Sequence, residues 1–509
     1  MGGRVHKSLL NAKVNLLFYF LSLFFSFFSR KIFLDCLGAD FIGLTGTLGN
    51  ILGYLNLAEL GVGAAISFFL YKPLQVGNQE QMNEILSVFG YLYRKIGIFI
   101  LLTGMIISAF FPLIFKRADM EMGIIYFSFY SFLASSLIGY FINYRQILLS
   151  ADQKNYLVSI YFQSANLVKT AMQILLAYNY RNFYLWVAIE FIFSVIACMI
   201  LNWKITKEYP WLQTDMREGK ILLKKYPEII KNTKLVFVHK IKDFLLMRSD
   251  EIIIFAFVSL KMVAYYGNYV MVIAKLSLLF NSFFDGAYAG VGNLVAEGNK
   301  QKILKVFWEL MAIRHFIAGF MCFALYFLLE PFICLWLGDK YILDEHILVL
   351  LLVYLYIMQS RVVVDMFNHA YGLYADTWSA WSELALNLGI TVTIALQYGI
   401  VGILLGKIVS TFFMIVLWKP YYLFSQGLHL PVAVYWKGAV RYHFIFILTF
   451  IIGVYVRSFF PLNLGTNFIT VILCGVVLLM IYVFVNVVLL YLFGFGTKDF
   501  IKRLKIIKR

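Results

Sequence analysis

Residues 57–74 read LAELGVGAAISFFLYKPL, and this stretch decides the kind of fold to expect. Glu59 stands in an otherwise apolar run that closes on Lys72 and Pro73. An ionised side chain at the centre of a bilayer costs at least about 2.5 kcal/mol unless it faces a cavity or a partner. At 1.5 Å per helical residue, Glu59 lies about 20 Å from Lys72, near the bilayer middle if the lysine marks the cytoplasmic surface. Glu59 is therefore a candidate for ion coupling or gating, and a structural pair with a basic residue is the alternative.

The rest of the chain has the same apolar character. Of its 509 residues 62% are hydrophobic and 14% are charged, and the mean hydropathy is +0.80. Long continuous apolar runs indicate transmembrane helices and not the short alternating strands of a barrel. We predict an all-α polytopic membrane protein with about 14 spans. The predicted spans centre on 14–34, 43–70, 96–115, 123–147, 155–178, 183–203, 235–258, 264–291, 306–329, 346–370, 378–397, 400–418, 440–460 and 467–492.

The formal net charge of +17 could suggest nucleic-acid binding, but its distribution favours a topological explanation. Basic residues gather at the N-terminus, in the segment 204–234 and in the tail TKDFIKRLKIIKR. Cytoplasmic loops of membrane proteins are basic, so an even number of spans predicts that both termini are cytoplasmic. The linker and the tail predict basic amphipathic helices at the membrane surface, with a solvated linker as the alternative. The first apolar run lacks a cleavage site and predicts a retained helix.

Matches at a fixed offset indicate an internal repeat. Asn11 returns as Asn232, Gly46 as Gly267 and Gly77-Asn78 as Gly298-Asn299, each 221 residues on, while Ala151-Asp152 returns at 375–376. Parallel repeats are a transporter architecture, with the site at the repeat interface. We predict an N-lobe over 1–205, a cytoplasmic amphipathic linker over 206–234, a C-lobe over 235–428, and two further helices with a basic tail over 429–509. The two lobes are expected to be pseudo-symmetric six-helix units.

Three segments resemble one known family: residues 30–74, NYRQILLSADQKNY at 143–156 and HKIKDFLLMRSDEIIIFAFVSL at 239–260. They are similar to bacterial polysaccharide-export flippases, the Wzx-type O-antigen and capsule translocases of the MATE-like exporter superfamily. The resemblance extends over most of residues 1–420. It implies a two-lobed helical bundle that flips undecaprenyl-diphosphate-linked oligosaccharide by alternating access. It also implies membrane lipids, a glycan polymerase and a chain-length regulator as partners.

Intramembrane cations are the candidate substrate-binding residues. A diphosphate is a compact anion that guanidinium and ammonium groups recognise. Arg361 has Asp365 one helical turn on, so local pairing is the alternative for it. Snorkelling to the interface is the alternative for Arg145. Gly402 and Gly406 predict close helix packing beside Lys407. The candidates are Lys275, Arg361, Lys169, Lys407 and Arg145.

Intramembrane acids are the candidate ion-coupling residues. Asp243 and Asp250 share one face of the seventh predicted span with His239. A buried carboxylate can exchange a proton or a sodium ion. The alternatives are a salt-bridge network between the lobes, or an interfacial start to the helix that places Asp243 in water. The candidates are Glu59, Asp250, Asp243 and Asp365. We expect no cofactor beyond a proton or sodium gradient.

Other functions are less compatible with the sequence. No P-loop, zinc-protease helix motif or acidic metal pair is present, and the five cysteines have no ligand spacing, so we expect neither a metal site nor catalytic residues. A membrane glycan polymerase or acyltransferase is therefore the least favoured alternative. A drug/cation antiporter of the same superfamily would require an acidic cavity, and the intramembrane cations argue against such a cavity. A lipid II-type flippase would share the fold and the basic cavity.

Overall fold

The computed structural model describes residues 2–59, 62–116, 118–152, 154–230, 233, 249–282, 284–373, 376–459 and 467–507. The regular elements in these ranges are helical, and none of these residues forms a strand. The all-α prediction is therefore confirmed. The chain divides into two compact units, Met1–Ala264 and Tyr265–Arg509. The lobe and linker boundaries predicted from the repeat stay predictions.

Unit 1 contains the first nine helices. In chain order they are α1 (Gly2–Leu55), α2 (Val62–Val76), α3 (Gln79–Ala109), α4 (Phe111–Ile114), α5 (Met122–Phe141), α6 (Gln146–Ala151), α7 (Asn155–Tyr180), α8 (Phe183–Glu208) and α9 (Gly219–Lys225). Residues 249–257 are helical as well.

Unit 2 begins inside α10 and contains the remaining helices. They are α10 (Leu260–Ser282), α11 (Asp285–Ala296), α12 (Lys300–Leu337), α13 (Glu345–Ser360), α14 (Val362–Ala370), α15 (Thr377–Tyr398), α16 (Ile400–Thr411), α17 (Lys419–Tyr422), α18 (Val432–Arg457), α19 (Phe468–Phe493) and α20 (Thr497–Ile507). π-Helical turns at Phe412–Trp418 and Leu423–Leu428 flank α17.

Eleven helices of the described ranges are long and apolar enough to cross a membrane. The second predicted span has no separate counterpart because it joins the first in α1 and continues as α2. The fifth is α7, a 26-residue helix whose hydropathy is reduced by polar residues such as Gln163, Asn166 and Lys169. Most of the seventh lies outside the described residues. The chain is a multi-pass membrane protein, and the count of fourteen spans stays a prediction.

Two breaks in the helical stretch from α1 to α2 position Glu59. Gly38 interrupts α1 with a φ of 83°, a backbone conformation that residues with a Cβ rarely adopt. A 3₁₀ turn, Asn56–Glu59, then ends α1, and the helix resumes at Val62. The opening stretch is therefore a broken span, and Glu59 is the last residue of its tight turn.

The repeat at offset 221 has the same local geometry in both units. Gly77 and Gly298 have φ values of 74° and 73°. Each is followed by an asparagine whose side chain caps the next helix: Asn78 accepts from Gln81 N at 3.0 Å, and Asn299 from Lys302 N at 3.1 Å. Asparagine suits this position because its short amide satisfies one of the orphan N–H groups at a helix start. The Gly-Asn pair therefore begins α3 and α12 in the same way.

The predicted glycine packing on α16 is present. A Cβ at Gly402 would lie 2.5 Å from the backbone nitrogen of Ala395 on α15. A Cβ at Gly406 would lie 2.2 Å from Thr391 Oγ1. Only hydrogen fits at these distances, so the two glycines let α15 and α16 pack backbone against backbone.

The basic linker packs against α3 in unit 1. Its first helix, α9, is seven residues long, and residues 227–230 are helical as well. Lys225 forms an ion pair with Glu84 at 2.7 Å, and Tyr226 donates to the same carboxylate at 2.5 Å. Burial, followed by the hydrogen bond and charge of Glu84, raises the pKa of Tyr226 to about 12.

The tail forms the predicted helix, α20, and docks on α12. Arg503 pairs with the buried Glu309 at 3.1 Å, and Lys305 pairs with Asp499 at 3.1 Å. Gly496 has a φ of 72°, and a Cβ there would lie 2.3 Å from the Trp308 backbone. The tail is therefore held to unit 2 by a close backbone contact and two ion pairs.

Candidate functional site

Glu59 accepts hydrogen bonds from two tyrosines of unit 1. Tyr140 on α5 donates to Oε2 at 2.6 Å, and Tyr93 on α3 donates to Oε1. The two rings are 5.2 Å apart, and both are buried. Each carboxyl oxygen thus has its own hydroxyl donor, an arrangement that is strongest when the carboxyl group is ionised.

The sequence predicted a basic partner or a cavity for Glu59, and the two tyrosines were not anticipated. Tyrosines in membrane proteins are expected first at the membrane–water interfaces. The sequence therefore gave no reason to single out these two as partners of Glu59. Whether Glu59 also exchanges an ion stays a prediction.

A cavity of about 280 Å³ with several polar side chains in its wall lies among α5, α7 and α8 of unit 1. Lys169 lines it and forms an ion pair with Glu190 on α8 at 2.6 Å. Gln173, one turn beyond Lys169, donates to the other Glu190 oxygen at 3.0 Å. Glu190 is not among the sequence-predicted site residues, and its pairing depends on the approach of α7 and α8.

The wall of this cavity includes an unsatisfied buried group. Asn143 is 2% exposed, and its Oδ1 makes no hydrogen bond within the described residues. An unmade hydrogen bond at a buried acceptor costs about 1–3 kcal/mol. Ser135, Gln163 and Asn166 add further polar atoms to the lining. The cavity is therefore suited to a hydrogen-bonding ligand or to water.

In unit 2 Arg361 and Asp365 form the local ion pair that the sequence offered as the alternative, with Nε 2.8 Å from Oδ2. Arg361 also lines a cavity of about 480 Å³ between α13, the first π-helical turn and α18. The guanidinium has five N–H groups, and Nε bonds to Asp365, so pairing and a substrate contact are compatible.

The remaining cationic candidates occupy separate positions. Lys407 is 8% exposed, and its ammonium lies 5.1 Å from the ring centre of Tyr354. Lys275 is half-buried on α10. Arg145 is half-buried in a 3₁₀ turn after α5, 5.9 Å from the Tyr144 ring. Their roles in substrate binding stay predictions.

Of the two acids predicted on the seventh span, one is described. Asp250 is buried, at 7% exposure, in the helical residues 249–257. Its neighbour Glu251 accepts a hydrogen bond from Asn50 on α1 at 2.5 Å. Asp243 lies outside the described residues, as does His239.

Sequence reasoning missed the most buried cation of the described residues. Arg314 on α12 has no exposed surface and donates from Nε to the Gln359 carbonyl at 2.7 Å. Its Nη2 bonds to the side chains of Asn281 and Gln359, and its Cζ lies 4.7 Å from the centre of the Phe284 ring. The signal was available, because Arg314 and His315 are adjacent in a 38-residue helix that is otherwise largely apolar.

The Ala-Asp repeat places one aspartate with similar partners in each unit. Asp152 accepts from Tyr209 at 2.9 Å and from Lys154 at 2.8 Å. Asp376 accepts from Trp418 at 2.9 Å and from Lys419 at 2.8 Å. Burial alone would raise the pKa of Asp376, but the Lys419 contact lowers it overall.

The described residues contain no group of histidine, cysteine and acidic side chains that could hold a metal ion. The candidate site residues lie in separate polar centres, each within one unit. Three of these centres are Glu59 with its two tyrosines, Lys169 with Glu190, and Arg361 with Asp365.

Comparison with known proteins gives the fold but no sequence family. The chain matches no protein-family model and no curated protein sequence. The structure of the lipid II flippase MurJ in an inward closed conformation is similar, with a TM-score of 0.68 at 13% identity, covering 95% of this chain and 98% of that one. An inward-facing multidrug resistance MATE family transporter of the MOP superfamily has a TM-score of 0.58 at 13% identity, covering 83% and 98%. A MATE in a bent conformation has a TM-score of 0.51 at 12% identity, covering 83% and 94%.

The chain therefore has the fold that MATE transporters and a lipid II flippase share. These neighbours are membrane transporters and flippases, not enzymes.

Proposed function

We propose that this protein is a flippase that carries undecaprenyl-diphosphate-linked oligosaccharide across the bacterial cytoplasmic membrane, with both termini in the cytoplasm. It would act by alternating access and supply repeat units for O-antigen or capsule assembly. An ion gradient would drive it, and a glycan polymerase and a chain-length regulator would use its product.

The observation that carries this proposal is the set of cations inside the helical bundle. Arg361 and Lys169 each line a cavity, and each forms an ion pair with a carboxylate. Lys407 is buried against an aromatic ring. An intramembrane cation is costly and is a functional candidate by default. A lipid-linked diphosphate is an anionic amphiphile that requires such groups.

The fold comparison supports a flippase over an antiporter. The likeness to the lipid II flippase extends over 95% of this chain, against 83% for the multidrug transporter. Transport of lipid II itself is the second candidate, because a lipid II flippase is the neighbour with that coverage. A cation antiporter is less favoured because positive groups line both cavities described above.

The proposal is tested by replacing two cations in the native host. We expect a Lys275→Ala, Arg361→Ala variant to lose surface polysaccharide and to accumulate lipid-linked repeat units inside the cell. A Lys302→Ala variant is the control, because Lys302 is an exposed surface lysine. Normal export from the double variant would refute the anionic-substrate mechanism. Accumulation of lipid II in place of repeat units would favour the second candidate.

A further inference from the structure

Two histidines meet inside unit 2, one on α12 and one on α18. His315 on α12 and His443 on α18 have ring centres 5.5 Å apart. His315 is 5% exposed and stacks on Tyr442, with ring centres 4.6 Å apart. His443 lines the 480 Å³ cavity that also contains Arg361. The pair therefore connects the interior of the helical unit with the cavity wall.

Hydrogen bonding gives the two rings different properties. His315 Nδ1 is 2.9 Å from the Met311 carbonyl, which can only accept, so this nitrogen carries the proton. His443 Nδ1 is 3.1 Å from the Tyr356 hydroxyl, which can donate or accept. A neutral His443 can accept from the tyrosine, and a charged His443 can donate to it. The contact therefore survives a change of charge on His443.

The cavity walls are apolar and aromatic apart from a few groups. Phe412, on the π-helical turn, is 45% exposed, and Trp436 lies on α18. Such walls accommodate the chain of an amphiphile, while Arg361 and His443 provide the polar end. Near the two histidines and the cavity, the titratable and charged side chains of the surrounding helices include Arg314, His315 and Cys322 on α12, Tyr356 on α13, Arg361 after it, Asp365 on α14, Tyr435 and Tyr442 on α18, and Tyr482 on α19.

We propose that His443 takes up a proton when the phosphate head of a membrane isoprenoid lipid enters this cavity beside Arg361. Desolvation inside the helical bundle opposes a positive charge on His443 before an anion binds, and a bound anion offsets that charge. Proton uptake and anion binding are then linked, and each strengthens the other by the same factor. The inference rests on the proposed function, since it names the proton site for an anionic lipid substrate.

The test is calorimetric titration of the detergent-solubilised full-length protein with farnesyl diphosphate. Titrations near neutral pH in two buffers of different ionisation enthalpy give the number of protons taken up per bound ligand. We expect uptake to fall by up to about one proton in His443→Gln, because one imidazole is involved. The matched control is His346→Gln, an exposed histidine at the start of α13, which should bind and take up protons as the wild type does.

Two further variants keep the proposal falsifiable. Arg361→Gln should weaken binding roughly tenfold or more, because the guanidinium–phosphate contact is lost. Tyr356→Phe keeps the imidazole but removes its hydrogen-bond partner, so linked proton uptake should fall while the affinity changes less. Equal proton uptake by wild type and His443→Gln would overturn the proposal, as would no binding of farnesyl diphosphate by the wild type.

The outcome is independent of oligosaccharide transport. If linked proton uptake is found and lipid-linked oligosaccharide is not flipped, the proposed function fails while the lipid-phosphate site stands. If flipping is found and the linkage is absent, only the His443 inference fails.

Discussion

Glu59→Gln tests what the acid in the broken second span does. In the structure its carboxylate accepts one bond from Tyr93 and one from Tyr140. Hydrogen bonds to a charged group contribute about 1.5–3 kcal/mol, and neutral ones about 0.5–1.5 kcal/mol. The glutamine amide can keep both contacts, accepting one and donating one, so about 1 kcal/mol is lost at each. We expect the free energy of unfolding to fall by about 2 kcal/mol.

Thermal unfolding in detergent measures this loss. A thiol-reactive dye reports unfolding, because Cys198, Cys322 and Cys474 are buried in the native state and become reactive when the protein unfolds. The control is Glu297→Gln, since Glu297 and its partner Lys302 are both about half exposed, and exposed ion pairs contribute about 0–1 kcal/mol.

A double-mutant cycle isolates the contacts. Tyr140→Phe should cost about 1.5–3 kcal/mol in the wild type and less in the Glu59→Gln background, because the bond it removes is then neutral. Strictly additive effects would refute this account of the pair. Transport separates structure from coupling: a Glu59→Gln protein that keeps the full ion-gradient dependence of transport leaves Glu59 with a structural role only.

Two more stability predictions follow from the packing and the charges. Gly402→Ala should lower the free energy of unfolding by about 1–3 kcal/mol, because its Cβ would meet the α15 backbone. The control is Gly389→Ala on α15, where a Cβ has nothing within 4 Å, so this change should be neutral or stabilising. Equal melting temperatures for the two variants would contradict the close packing. Asp376 has a lowered pKa, so its stabilisation is complete above the ordinary carboxyl value of about 4 and decays as the pH falls below it. The melting-temperature difference between wild type and Asp376→Asn should therefore shrink as the pH is lowered towards that region, and a difference independent of pH would count against the Lys419 contact.

The helical architecture could be predicted because it depends on local patterns. Apolar runs specify transmembrane helices, and the Gly-Asn repeat at offset 221 specifies a turn and a cap that recur in both units. Gly402 and Gly406 indicated close packing, which the structure contains. The i,i+4 spacing of Arg361 and Asp365 likewise allowed the observed ion pair to be foreseen.

The partners of the intramembrane charges could not be predicted in the same way. Tyr93 and Tyr140 are 34 and 81 residues from Glu59, and Glu190 is 21 residues from Lys169. These contacts depend on which helix faces meet, and the sequence of each helix alone does not specify that. Arg314 and His315 were detectable as charges in an apolar helix, but their partners on α13 and α18 again depend on packing.

The central claim is that intramembrane cations carry an anionic lipid-linked oligosaccharide across the membrane. The most direct measurement is flipping of labelled undecaprenyl-diphosphate-linked oligosaccharide in liposomes containing the purified protein. We expect flipping by the wild type and by Lys302→Ala, and loss of flipping by the Lys275→Ala, Arg361→Ala protein, verified as folded by its melting curve. Flipping by the double variant at the wild-type rate would contradict the claim.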